Sequence, residues 1–492
     1  MEIRFLNRDE YGRTRALAAA CFGSSDDLAG YYENVVRENR VAVLEDGGAI
    51  LSMAHLHRML AVYAEKSVPV WYILYVCTEK AHRHRGYMDR VMRFVLQTLQ
   101  NEGEAFTFLV PVNREVYAHL GFTDAWRFDE TERELLDADD DLTECVACRL
   151  NNDESFTAPL RLKNADTPSD LRYRRFDADA AADSFAFFRI RPNKSYDSVP
   201  LDCLIWSDRV KMEYCVSDGR CLLMRSRSDD AYAGCIPYCR ERELSYYFKL
   251  QERYFNEVLG IPFRAFSQDS EGVKYLRSAG LLETYEVTEE AEIFDYIYSG
   301  DDLRTLAGRS FSQKRNRIHK FEREYGGRWE YRTLGYEDRE TILAFLERWD
   351  ENKAVEGAGI NLGKDYDAAE TLEIDVSGTR TILESPNVLK KIRVGGIFVD
   401  GALCAFSIGS YNPAERMAVI DIEKADPHMD GLYQLINREF LLHEFPEAEL
   451  VNREDDVGVP GLRQAKMSYN PILLEKRYSL IQKDFPGKRA DE

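Results

Sequence analysis

The sequence predicts an α/β protein of three successive units, each a mixed sheet flanked by helices. Three observations lead there. The apolar segment Val70–Tyr75 runs into a basic turn, Val76–Met88, and a patterned stretch follows in which Met88, Val91, Met92, Val95, Leu96 and Leu99 are apolar. That is a strand, a turn and an amphipathic helix, the last from the i, i+3, i+4, i+7 spacing. Alternating strand and helix patterns then return downstream, at Gly219–Ser226 and Leu244–Leu259, and at Lys391–Phe398, Ala402–Tyr411 and Met417–Glu423. Finally, 492 residues at roughly 150 per domain give three units, and 45% apolar with 12% aromatic content lets each bury a core.

The first unit, 1–150, carries the clearest chemistry. A strand followed by a glycine-bearing basic turn and a helix wraps a pyrophosphate. Backbone N–H groups at the helix start face the phosphate oxygens, the helix dipole favours their charge, and glycine lets the chain approach. Within the turn, Arg83-x-x-Gly86-x-Met88 resembles the R/Q-x-x-G-x-G/A signature of the GNAT N-acetyltransferases, with Met88 where Gly or Ala is usual. Thr107–Val110 reads as a buried strand, and Tyr117-Ala118-His119-Leu120-Gly121-Phe122 resembles the family's closing Tyr-x-x-x-Gly-Phe. The resemblance implies that acetyl-CoA lies along Val76 and on the turn formed by Arg83, Arg85, Gly86, Tyr87 and Met88. It also implies that Tyr117 protonates the departing CoA thiolate, a role open to a phenol with a pKa of ~10. Read singly, Tyr117 and Phe122 are equally a helix-end staple and a core aromatic.

A general base is not apparent. The strand Val68–Val76 carries no acid, and His55 and His57 alternate on Ile50–Val62, which puts both on one face. An imidazole can act as a base near neutrality, but a pair on one strand face also reads as structural, and the base stays unassigned. Cys145-x-x-Cys148 and Cys235-x-x-x-Cys239 lack glycine-rich knuckles, so the ten cysteines read as small, reduced, buried side chains and no metal is expected. No stretch reaches the ~18 apolar residues of a membrane span, and the charged N-terminus lacks a secretory core. A cytoplasmic location is the expectation. The net charge of −21 speaks against general polyanion binding and fits a cationic amine substrate.

Asp129–Asp141 is strongly acidic and reads as a solvated loop, and 151–170 is polar and turn-rich, a linker. The second unit is placed at 171–296 and the third at 297–492. Lys274–Leu281 again resembles an acetyltransferase closing helix, and Asp400-Gly401 suits the tight turn of a hairpin. Against the acidic background, 313–323 holds a basic helix face opposite Phe311, Ile318, Phe321 and Tyr325. Lys314, Arg315 and Arg317 there form a candidate anion site, the alternative being a solvated face paired with Glu322 and Glu324.

The last two units together are similar to the soluble C-terminal domain of phosphatidylglycerol lysyltransferases, and more distantly to Fem-type aminoacyltransferases. The markers are Lys314–Phe321, Ile422–Asp426, Gly431–Phe440 and above all Val451–Pro471. The resemblance implies two fused acetyltransferase-like halves and charged tRNA as a partner; the lipid enzymes' membrane-spanning portion has no counterpart here. Asn452, Arg453, Asp455, Arg463 and Lys466 are candidate substrate or phosphate contacts, or else a buried ion-pair network. Two functions follow. One is transfer of acetyl from acetyl-CoA to an amine, beside a tandem domain that is itself a transferase. The other makes that domain a binding module and the first unit a CoA sensor.

Overall fold

The computed structural model describes residues 1–492 apart from 64–65, 127–144, 152–160, 229–230, 356–367, 457, 484 and 486–492. The acidic segment Asp129–Asp141 lies outside the described residues. The chain divides into two units, Met1–Thr167 with Asp218–Arg220, and Pro168–Ser217 with Cys221–Glu492.

The first unit is built on one sheet. Its strands are β1 (Glu2–Phe5), β2 (Arg40–Asp46), β3 (Ala49–Tyr63), β4 (Lys66–Thr78), β5 (Phe106–Leu109), β6 (Phe122–Trp126), β7 (Cys145–Arg149) and β8 (Arg161–Asn164). They lie in the order β1-β2-β3-β4-β5-β7-β6, with β8 also on β3. Every step is antiparallel except β4–β5. A parallel step needs a crossover, and the amphipathic helix supplies it: α2 (Tyr87–Asn101) buries Val91, Met92, Val95 and Leu99 against Leu44, Leu56, Ile73 and Leu109. The opposite face packs under α1 (Arg15–Phe22), with Leu17 and Ala18 against Val41, Val43 and Met53. Strand β8 corrects the linker reading of 151–170. Residues 161–164 pair with Met59–Val62, a contact made across a hundred residues for which the short, polar segment gives no local sign.

The second unit holds two seven-stranded sheets. One contains β9 (Arg174–Arg175), β10 (Glu213–Ser217), β11 (Cys221–Ser228), β12 (Ala231–Gly234), β13 (Arg264–Asp269), β14 (Tyr285–Glu289) and, from the far end of the chain, β22 (Arg477–Gln482). The other contains β15 (Asp295–Ser299), β16 (Trp329–Leu334), β17 (Arg393–Val399), β18 (Ala402–Asn412), β19 (Met417–Ala425), β20 (Leu450–Asn452) and β21 (Leu473–Glu475). Their orders, β9-β10-β11-β12-β13-β22-β14 and β16-β17-β18-β19-β20-β15-β21, repeat that of the first unit. The single parallel step recurs at β12–β13 and at β19–β20. Three copies of one mixed α/β architecture therefore run along the chain.

The two halves of the second unit exchange a strand. In the first unit β7 fills the sixth place of its own sheet. In the second unit β15, which directly follows β14, crosses into the later sheet, and β22, which follows β21, crosses back. The boundary drawn at 296 thus separates strands by sequence but not by sheet. Arg477 on β22 is fully buried and ion-paired with Asp197, and lies 3.7 Å from Asp295 on β15, so one charge cluster holds both exchanged strands. A shared core seals the halves, with Leu222 and Met224 of one sheet beside Val394, Phe406, Ile408 and Ile422 of the other.

Candidate active sites

In the first unit β4 carries a bulge. His55 faces Leu74 and Met53 faces Cys77, so Tyr75 and Val76 together oppose Ala54. Tyr75 takes a left-handed φ of 48°. Such an insertion twists the strand and frees it from its neighbour. The parallel ladder to β5 has three rows, ending at Ile73 and Leu109, where β5 itself ends, while β4 runs on to Thr78. Beyond Thr78 the chain turns through Arg83–Gly86 into α2. Gly86 caps the helix at φ 73°, a conformation costly for any residue with a Cβ, and the space its Cβ would enter is open. The first bond inside the helix runs from the N–H of Arg90 to the carbonyl of Gly86, so the N–H groups of Tyr87, Met88 and Asp89 stand before it.

The flanking side chains fall into two groups. Arg83 and Arg85 are exposed on the turn, and Arg83 donates to the Thr78 carbonyl at 3.3 Å. Tyr87 is buried and stacks on His82, while Met88 and Val76 pack into the core beneath. These three therefore offer backbone, not side chain, to a ligand. Tyr117 sits half-buried, edge-on to Phe122 at 5.9 Å. Burial first, and then the Cys77 thiol, raise its pKa, which keeps the phenol protonated.

The two histidines of β3 join one polar network. The Tyr31 hydroxyl shares a hydrogen bond with His55 Nδ1 at 2.7 Å, Asn39 Nδ2 donates to Tyr31, and Asn39 Oδ1 meets His57 Nδ1 at 2.6 Å. Complete burial pushes the His55 imidazole down to about 3, so it stays neutral and is a poor proton acceptor.

The second unit contains a cavity of about 870 Å³. One wall is cationic. Lys314 and Arg317 of α3 (Ser312–Tyr325) meet Arg453 around Tyr469, with Lys314 Nζ 3.9 Å and the Arg453 guanidinium 4.9 Å from the ring centre. Burial, with Arg453 and Arg317 alongside, brings the Lys314 ammonium down to about 8. The other wall is acidic: Asp202, Asp421 and Glu454 share it. Burial raises all three carboxyls, helped by Asp197 and Asp455 at Asp202 and by Asp202 at Glu454; Asp421 is pushed to about 8. Glu454 is held at a left-handed φ of 57°. Two further carboxylates are neutralised, Glu423 by Arg453 at 3.0 Å and Asp375 by Lys424. The cavity is bipolar and suits a ligand with a negative and a positive end.

Lys314, Arg317, Arg453, Asp455 and Lys466, five of the eight candidates named for this half, line the cavity. The other three serve the fold. Arg315 donates to the carbonyls of Leu306 and Gly308. Asn452 is buried and donates to the Lys194 carbonyl at 2.8 Å. Arg463 grips both oxygens of Asp456 at 2.8 and 2.9 Å. Arg453 orients Glu423 rather than Asp455, and Lys466 reaches the carbonyls of Arg453 and Asp455. Val457 of the same motif lies outside the described residues. Missed altogether were Asp202, Asp421 and Glu454. The one available signal was a lone acid inside Ala418-Val419-Ile420-Asp421-Ile422.

The third sheet repeats the strand–glycine–helix device of the first unit but closes it. Gly431 caps α4 (Leu432–Glu444) at φ 93°, as Gly86 caps α2. A Cβ on Gly431 would meet the Arg317 carbonyl oxygen at 2.2 Å, because α3 lies across the helix start. Tyr433 and Gln434 of the same first turn line the cavity.

Among the described residues no helix is long and apolar enough to cross a membrane. Residues 189–481, more than half of the chain, match the family described as phosphatidylglycerol lysyltransferase, C-terminal, and residues 2–125 match the acetyltransferase (GNAT) domain. A conserved protein of unknown function from Bacteroides thetaiotaomicron has the same fold over 64% of this chain and all of its own, at 23% identity and a TM-score of 0.53. The L-PGS of Bacillus licheniformis covers 63% of this chain and 93% of its own, at 13% identity and a TM-score of 0.44. An uncharacterized protein of Mycoplasmoides gallisepticum is 23% identical over 185 residues, 37% of this chain and 54% of that protein. The chain spans about half the length of this curated relative. It belongs to the phosphatidylglycerol lysyltransferase C-terminal family and carries a GNAT acetyltransferase domain ahead of the family's own domain.

Proposed function

We propose that the protein is an acyltransferase whose first unit moves an acetyl group from acetyl-CoA to a primary amine. The open Gly86 turn at the start of α2, reached from the stretch of β4 that runs past the end of β5, carries this reading. Acyl-CoA bound there would supply an activated thioester. The N–H groups of Tyr87, Met88 and Asp89 hold the pyrophosphate and Arg83 and Arg85 add charge, while the backbone of the Tyr75–Val76 bulge aligns the acyl carbonyl. As the amine nitrogen bonds the acyl carbon and the carbon–sulfur bond breaks, Tyr117 gives its proton to the sulfur. Its raised pKa fits the role, since the phenol is still protonated at neutral pH.

Calorimetric titration with acetyl-CoA tests the site. Wild type is expected to bind and Arg83→Glu to lose binding; unchanged affinity in the variant removes the cofactor from this turn. Tyr117→Phe is expected to lower turnover about 100-fold with cofactor affinity retained, and full turnover would cancel the acid role.

A second reading concerns the C-terminal family domain. Its cavity is bipolar, and α3 crowds the glycine at its own helix start. An aminoacyl group on charged tRNA offers both a phosphate-bearing end for Lys314, Arg317 and Arg453 and an ammonium for the acidic wall. Neutralising Lys314 and Arg317 together is expected to weaken tRNA binding and flatten its salt dependence.

A further inference from the structure

Asp421 is the extra residue of a second bulge. Across the β18–β19 ladder Ile408 faces Ile422 and Gly409 faces Ile420, which leaves Asp421 opposite no residue. A bulge re-aims the side chain it carries, and this one places a carboxyl on the cavity between Ile420 and Ile422, ahead of the ion-paired Glu423 and Lys424 of the same strand. Asp421 is only 8% exposed and neither of its oxygens makes a well-formed hydrogen bond; the Ser410 hydroxyl and the nearby backbone of Ser410 and Asp421 offset its burial only in part. A charged carboxyl so buried is disfavoured, because no cation replaces the water it has lost. The cluster at the exchanged strands differs. There Asp197 meets the Arg477 guanidinium directly and Asp295 accepts from the Tyr196 N–H at 3.0 Å. Among the described carboxyls of the cavity wall, Glu423 and Asp375 have cations and Asp421 has none.

Its place in the fold is equally specific. Strand β19 is the fourth in the common order, as β4 is in the first unit, and both bulge just past the last row of their parallel ladder. In the acetyl-transfer reading above, the first of these bulges presents backbone to the acyl carbonyl. In the family domain the same position presents an acid.

We propose that Asp421 is the proton-transfer residue of the C-terminal transferase. This rests on the second reading above, aminoacyl transfer in the bipolar cavity. The Asp421 carboxylate takes a proton from the attacking nucleophile as its lone pair bonds the acyl carbon. The ester bond to the ribose oxygen breaks, and Asp421 returns the proton to that oxygen. Amide and free ribose hydroxyl are the products, and no further reagent is consumed. Asp202 from the Leu201–Ile205 helix and Glu454 from the loop after β20 are the acids that interact with Asp421, and Asp455 of that loop and Lys466 of α5 (Pro460–Met467) line the same cavity.

Single-turnover transfer from lysyl-tRNA to ethanolamine by the full-length protein provides the test, with tRNA affinity measured separately by filter binding. Wild type is expected to form lysyl-ethanolamine at a rate that climbs with pH to a plateau above about 8. Asp421→Asn, which fills the same space, is expected to slow transfer by about 10²–10⁴-fold, to leave tRNA affinity within about twofold, and to lose the pH-dependent rise; Asp421→Glu should recover part of the rate. Undiminished transfer by Asp421→Asn overturns the proposal and leaves aminoacyl transfer standing. A wild type that binds lysyl-tRNA but transfers nothing, with the same result for other charged tRNAs, overturns both.

Discussion

The Asp421 carboxyl holds its proton up to about pH 8 because burial penalises its charge. An unfolded aspartate titrates near ~4, so the folded protein binds the extra proton between these values. The stability this contributes is complete below the lower value and is lost as pH rises through the higher one. Thermal unfolding of the second unit is therefore expected at a lower midpoint at pH 9 than at pH 6. Asp421→Asn should shrink that difference by more than about 2 °C, and an unaltered difference would show that Asp421 is not buried as a neutral acid. His55 has the opposite sign. Its pKa is depressed to about 3 by burial, so the stability linked to it is present above the unfolded value near ~6.5 and fades as pH falls toward 3. The first unit should thus melt earlier at pH 5 than at pH 7, and His55→Gln should lessen that gap.

Two elements built alike differ in what covers them. Helices α2 and α4 each begin on a left-handed glycine after a bulged strand, yet Gly86 faces open space and Gly431 faces a carbonyl oxygen. Gly86→Ala is expected to cost only the left-handed penalty, about 1–2 kcal/mol, while weakening acetyl-CoA binding. Gly431→Ala adds the displacement of α3 to the same penalty, giving about 2–4 kcal/mol. Urea unfolding of both variants separates the cases; equal costs would mean that α3 yields freely. At this scale much was legible in the sequence. Apolar runs and helical spacing placed β4, α2, β17, β18, β19 and α3 within a few residues, because the helices bury one face and β17, β18 and β19 bury both along nearly their whole length. The Asp400-Gly401 hairpin formed as its turn chemistry requires, with both residues at positive φ. The basic helix was legible as a helix but not as a site. Arg315 is occupied by backbone carbonyls and Lys320 by Asp430 at 2.8 Å, while Lys314 and Arg317 turn inward.

At the scale of the whole molecule, the exchange of β15 and β22 makes the two halves of the second unit one folding unit. Its charge cluster is the sensitive point. Arg477→Met leaves Asp197 and Asp295 buried without their cation and is expected to destabilise the protein by about 3–5 kcal/mol. Adding Asp197→Asn and Asp295→Asn should restore part of the loss in denaturant titrations. A single variant within about 0.5 kcal/mol of wild type would refute the clamp. The sequence by itself determined the α/β class, the threefold repetition and the glycine turn from strand to helix at Arg83–Gly86, since these depend on periodicity and on local backbone chemistry within a few dozen residues. Only the tertiary structure decided which strand completes which sheet, which of the C-terminal cations face a cavity, and that Asp202, Asp421 and Glu454 meet there. Those outcomes turn on contacts between residues up to 280 positions apart, as Asp197 and Arg477 are. They also turn on a one-residue bulge, which re-aims a side chain without leaving any mark on the hydrophobic pattern.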